Sequence, residues 1–215
     1  MISKREQNKE KRRATILDNA IHLFDQQGYD ATTTRQVIQA ANMPSATFYQ
    51  YFADKHAVFK TIAINAIDTT VSKYEAQLAD KENFTAQDLA TLINQKLEQG
   101  PFSPRLIADF TNEFSGQHGD FDVYNYYQER VRTYWRHLIT RLRHLHLISP
   151  TLSDEALMLY FQMWISFFGS KENMKHFNMN LMPDLMPQFS EIFLFGMLDP
   201  EQKTRENMLT DIRHN

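Results

Sequence analysis

The sequence predicts an all-α protein, a three-helix N-terminal head joined to a larger C-terminal helical bundle. Three observations carry this prediction. Apolar residues recur at three- and four-residue steps in successive segments along the chain, the spacing that lines one face of a helix. No stretch alternates apolar and polar residues as a half-buried strand would. Glycine and proline number only 6 and 7, and they mark the breaks between periodic segments.

Taken in order, the first helix is expected over residues 9–27. Ile16, Leu17, Ala20, Ile21, Leu23 and Phe24 form its apolar stripe, and Gly28 supplies the stop. After a short connection, Thr33 is placed to cap a second helix over 34–41. Asn42 and Met43 make the next turn, with Asn42 suited to a left-handed backbone, and Pro44 fits the first turn of a brief third helix ending near 51 or 52. Asp54 then caps a long helix to about 78 that carries Val58, Phe59, Ile62, Ala63, Ala66 and Ile67. Further helices are expected over 86–99, 103–114, 121–147, 153–169 and 187–198. The separating breaks are Gly100-Pro101, residues 116–119, Ser149-Pro150 and the stretch from Pro183 to Pro187. The division by role is a head of residues 1–56 and a body of residues 57–215.

Composition narrows the function. A chain of 215 residues, 42% hydrophobic and 23% charged, buries a real core without difficulty. With no cysteine, disulfide scaffolds, thiolate zinc sites and cysteine nucleophiles are excluded. The polar, basic N-terminus is no signal peptide, and no apolar run is long enough to span a bilayer, so a cytoplasmic location is expected. The net charge of -3 hides an asymmetry: residues 1–60 hold nine Lys and Arg against six Asp and Glu, leaving the acidic excess to the body. A basic head and an acidic body suggest that the head meets a polyanion.

Two short helices across a tight turn, the second beginning near residue 44, form a helix-turn-helix, in which the second helix enters the major groove and the first braces it on the backbone. Beyond that spacing, Gly28-Tyr29, Thr32-Thr33, Val37-Ile38, Ala41, Thr47-Phe48-Tyr49, Tyr51-Phe52, Lys55 and Ala57, with ILDNAIHLF before them, closely resemble the pattern of the TetR family of transcriptional regulators. The match runs over roughly fifty residues. Three positions depart from the family pattern: Asn42 and Ala46 stand where glycine is usual, and Pro44 where a capping serine is usual.

The resemblance implies a DNA-binding set of Thr33, Thr34, Arg35, Pro44, Ser45, Ala46, Thr47, Tyr49, Gln50, Tyr51 and Lys55. Thr47, Tyr49 and Lys55 would touch phosphates, which suits hydroxyl and ammonium donors. Arg35 would reach either a phosphate or a guanine edge, and Thr33 and Thr34 would cap their helix and offer an amide or hydroxyl to phosphate. Base reading falls to Pro44, Ser45, Ala46, Gln50 and Tyr51. Val37, Ile38, Ala41, Phe48 and Phe52 are expected in the core of the head.

The body is rich in aromatics. Helical spacing makes most of them core; the resemblance implies a small-molecule pocket among them, with Phe110, Phe114, Tyr124, Tyr127, Trp135, Trp164 and Phe168 as the ligand-binding set. Arg105, Arg130 or Arg132 could orient an acidic group there if they point inward. His137 and His144 lie two turns apart among arginines, a poor cation site, so no metal and no cofactor is expected. Apolar sequence over 157–168 and 185–198 exceeds what one helix needs to cover one core; the resemblance implies that these helices pack against a second copy as a four-helix bundle, and the alternative is a tightly packed monomer interior. The expected function is a sequence-specific, homodimeric regulator, a repressor released from palindromic operator DNA by an unknown small molecule. A DNA-binding accessory protein without a ligand is one alternative. The other, an enzyme with a helical body, lacks a phosphate loop, a zinc-protease motif or a persuasive acid, base and nucleophile set, so the chain is read as no enzyme.

Overall fold

The computed structural model describes residues 3–79, 84–85, 88–89, 102–115, 120–168 and, near the C-terminus, 185, 188–189, 192 and 196. Among them every regular element is a helix. These are α1 (Lys4–Gln27), α2 (Thr34–Ala40), α3 (Ser45–Phe48), α4 (Lys55–Ala79), α5 (Pro104–Ser115), α6 (Phe121–His144) and α7 (Asp154–Phe168). The helix expected over 86–99 lies mostly outside the described residues, though its opening is visible. The Thr85 hydroxyl accepts from the Asp88 amide at 3.2 Å, and the Asp88 carboxylate accepts from the Thr85 amide at 2.8 Å. The helix expected over 187–198 also lies largely outside them.

The chain packs as two compact units, residues 1–72 with 99–130 and residues 73–98 with 131–215. The first unit therefore extends past residue 56 and takes in α5 and the first turns of α6. The core of this unit explains why. Phe59, fully buried on α4, stacks on Tyr29 at 4.2 Å, on Phe110 at 4.5 Å and on Phe114 at 5.5 Å between ring centroids. Ile16, Ala20 and Phe24 of α1, Val37 and Ile38 of α2, Phe48 of α3 and Val58 of α4 complete the cluster, with Leu106 and Val123 from α5 and α6. Each buried Ile, Val, Leu or Phe side chain among these contributes about 1.5–3 kcal/mol relative to exposure.

The second unit has its own core of Leu138, Ile139, Leu142, Leu147, Ile148, Leu157 and Phe161, all buried. Trp135 lies flat on Phe161, the rings 3.8 Å apart and 9° from parallel. Arg143 ties α6 to the turn after it, donating to the Ser149 carbonyl at 2.9 Å, to the Leu152 carbonyl and to the Asp154 carboxylate at 2.9 Å.

Three boundaries differ from expectation. α1 starts five residues early, because Ser3 and Glu6 form a reciprocal capping box. α3 is a single turn. After Phe48 the amides of Gln50 and Tyr51 donate to Thr47 and Phe48, bonds three residues back that tighten the chain out of the α-helix. α6 ends at His144, where His146 takes a left-handed φ of 55° and the Leu147 amide closes on the Leu142 carbonyl at 3.0 Å.

Candidate nucleic-acid interface and its support

The turn between α2 and α3 follows from its residues. Thr33 caps α2 by accepting from the Gln36 amide, and the Gln36 side chain accepts from the Thr33 amide. Asn42 adopts φ 49°, the left-handed conformation that its short polar side chain tolerates. Pro44 is extended, with φ -60° and ψ 141°, so it occupies the cap position and not the first helical turn. It offers no side-chain cap, and its carbonyl instead accepts the amides of Thr47 and Phe48 at 2.9 and 3.1 Å. Behind this turn Val37, Ile38, Ala41, Phe48 and Phe52 are all buried, as the spacing anticipates.

The side chains singled out from the sequence divide by exposure. Thr33, Arg35, Pro44, Ser45, Ala46, Tyr49 and Gln50 are exposed, Tyr49 by 56% despite its size. Thr34, Thr47, Tyr51 and Lys55 are half-buried, and two of these four carry internal bonds. The Thr34 hydroxyl accepts from the Lys55 amide at 3.2 Å, which pins the start of α4 to the start of α2. The Lys55 ammonium donates to the Tyr29 carbonyl at 2.8 Å and lies 4.2 Å from the centre of the Tyr29 ring. Asp54 caps α4 through the Ala57 amide at 2.8 Å.

A polar clamp that the sequence did not reveal holds the head to α5 and α6 within the first unit. Gly28 turns the chain out of α1 at φ 88°, a conformation that favours glycine. The next amide, of Tyr29, donates to Asp109 at 2.9 Å, and Arg105 donates to the Gln26 carbonyl at 3.0 Å. The Tyr29 hydroxyl donates to Glu113 at 3.1 Å. The His56 ring faces Glu113 with Nδ1 at 2.9 Å and Asp120 with Nε2 at 3.1 Å. Lys60 completes the clamp at 2.8 Å from both Asp120 and Asp122. Its bond holds the Asp120 carboxyl at about 2, while burial, then the Glu113 charge, pushes the Tyr29 hydroxyl above its usual range. Partners 27 to 84 residues apart leave no local spacing to read.

Of the ligand-binding set, Phe110, Phe114, Tyr124 and Tyr127 belong to the first unit and Trp135 to the second. Phe110 and Phe114 stack on Phe59, and Tyr127 is 37% exposed. Trp164 and Phe168 lie on α7, where their side chains are outside the described residues. Arg105 is engaged at Gln26 and Arg130 at Asp68, 3.0 Å away. His137 stands 3.7 Å from Glu75. No group of three or more potential metal ligands occurs among the described residues, and no described helix is long and apolar enough to cross a membrane.

A short helix presented at the surface across a tight turn from a bracing helix is a helix-turn-helix, and the described residues carry one near the N-terminus. Residues 16–62 match the model of bacterial regulatory proteins of the tetR family. The HTH-type transcriptional repressor ComR of Escherichia coli is 35% identical over 78 residues, which is 36% of this chain and 37% of ComR. The match thus spans about a third of that relative's length. A putative TetR-family transcriptional regulator from Mesorhizobium loti has a similar structure, with 18% identity and a TM-score of 0.61 over 88% of this chain and 98% of that one. A gamma-butyrolactone receptor is also similar, with 17% identity and a TM-score of 0.54 over 95% and 98% of the two chains. The likeness to the tetR family thus rests on the head, over residues 16–62.

Proposed function

We propose that this protein is a transcriptional regulator that binds a palindromic DNA operator as a homodimer and leaves it when a small molecule binds the body. The observation that carries the reading is the contrast at the helix-turn-helix. Phe48 and Phe52 are buried, while Pro44, Ser45, Ala46, Tyr49 and Gln50 stand exposed on the same short segment. A set of hydroxyl, amide and phenol groups exposed on a buried apolar backing suits base edges and phosphates. Repression is the reading favoured by ComR, whose name calls it a repressor.

The dimer is supported by Leu159 and Met163, 63% and 61% exposed and four residues apart on one face of α7, with Ile192 64% exposed further on. The ligand is supported by two buried polar atoms in the second unit. The Trp135 indole N–H and the Gln77 carbonyl oxygen lack partners among the described residues, an arrangement that costs about 1–3 kcal/mol per group unless something else satisfies it. The similar gamma-butyrolactone receptor is named for a small molecule.

The test is selection of duplexes from a random pool on the immobilised full-length protein. Enrichment of an inverted repeat with half-sites about 10 base pairs apart, centre to centre, or a multiple of that, is expected. A pool that stays random after repeated rounds overturns the reading.

A further inference from the structure

We propose that the first three turns of α1 are a second DNA-binding surface, a cationic stripe that lies along the phosphate backbone beside the helix-turn-helix. The proposal deepens the reading of the head as a DNA-binding domain and rests on it. The core-facing line of α1 runs through Ile16, Ala20 and Phe24, all 0% exposed. Followed toward the N-terminus at the same three- and four-residue steps, that line passes through Arg13, Arg12, Lys9 and Arg5. Where the apolar stripe ends, a basic one continues on the same face. Arg13 marks the junction, its guanidinium 5.5 Å from the centre of the Phe52 ring just past the exposed Tyr49 and Gln50. The stripe therefore faces the side of α1 on which the helix-turn-helix is packed.

Residues 3–12 are all exposed and bury nothing. An unpacked helical extension of this length is marginal in water, and this one also breaks local rules. Lys4 and Arg5 put positive charge in the first turn, where the helix dipole disfavours it. Arg5 and Lys9, and Lys9 and Arg13, are like charges four residues apart, which repel. Compensation within the chain is partial: Glu6 lies in the first turn and attracts Lys9. Glu6 is engaged in the cap with Ser3, and none of Lys4, Arg5, Lys9, Lys11, Arg12 or Arg13 forms an ion pair among the described residues. Local rules broken together with only partial internal compensation mark a functional surface, and a polyanion relieves both violations at once. From Arg5 to Arg13 the helix rises about 12 Å, the axial span of about three to four phosphates of one strand.

The test compares the full-length protein with its Arg5→Gln, Lys9→Gln, Arg12→Gln triple variant. Both bind the selected operator and a random duplex of equal length between 50 and 200 mM salt, and circular dichroism checks that helix content is unchanged. The triple variant is expected to lose about tenfold or more in affinity at low salt on both duplexes, and its slope of log affinity against log salt becomes shallower by about 2 to 3, near 0.9 per lost phosphate contact. An Arg5→Lys, Arg12→Lys variant keeps the wild-type slope. Unchanged affinity and slope overturn the stripe while leaving the helix-turn-helix reading intact, and so does a loss confined to the operator, because phosphate contacts do not distinguish sequence. If the wild type binds neither duplex at any salt, the DNA-binding reading itself fails and the stripe falls with it.

Discussion

Among the described residues, two hold left-handed backbone without being glycine, and their side chains make opposite cases. Asn42, at φ 49°, is the type that tolerates this conformation, so Asn42→Gly should change stability by only a few tenths of a kcal/mol. His146, at φ 55°, gains no such tolerance, and His146→Gly should stabilise by about 0.5–1 kcal/mol, raising the melting temperature by about 2 °C in a thermal scan. An unchanged or lower melting temperature would contradict this. Within the helix-turn-helix, changes at Ser45 or Gln50 should alter preference at individual base pairs by about 1–3 kcal/mol. Lys55→Ala should weaken binding to all sequences alike, as competition titrations against operator variants would reveal. Thr33 and Asp54 were legible as caps because a cap is a local pattern of one side chain and an amide two or three residues on. The Lys55 ammonium on the Tyr29 carbonyl was not legible, since its partner lies 26 residues away and only the packed head brings them together.

Among elements, the clamp joining the head to α5 and α6 governs how firmly the helix-turn-helix is held. His56 faces a carboxylate at each ring nitrogen, Glu113 at Nδ1 and Asp120 at Nε2. Replacing His56 with alanine should cost about 1–2 kcal/mol of stability, since charge-assisted bonds go unmade. A denaturant titration showing no change would remove the clamp from the account. The Asp120 carboxyl sits at about 2 in the folded chain against an ordinary 3.8, so its contribution is present above about pH 4 and is lost as pH falls through that interval. Melting temperatures recorded between about pH 5 and pH 2.5 should therefore drop more steeply for the wild type than for Asp120→Asn, and parallel curves would speak against the assigned bond. Helix positions were readable because apolar period and capping residues are local. The shortness of α3 was not, because the bonds that tighten the chain after Phe48 leave no mark in residue type.

At the level of the whole molecule, the all-helical class and the core stripe of the head followed from hydrophobic period alone, whereas the packing of α5 into the same unit depends on Phe59 meeting Phe110 and Phe114 across some fifty residues of chain. The proposed dimer is tested by Met163→Glu, which places a charge on the exposed apolar face of α7. That variant should elute as a monomer from a sizing column and bind operator as weakly as a lone half-site would, and a folded dimer would move the contact elsewhere. The central claim, that two copies of this head read one duplex on one face, is tested most directly by titrating the wild type onto the selected palindrome and onto the same palindrome with five base pairs inserted at its centre. Half a helical turn carries the half-sites to opposite faces. Two protomers per palindrome, affinity that falls steeply with salt, and a drop on the lengthened duplex to the affinity of a single half-site are expected. Equal affinity for both duplexes, or binding indifferent to salt, would contradict the claim.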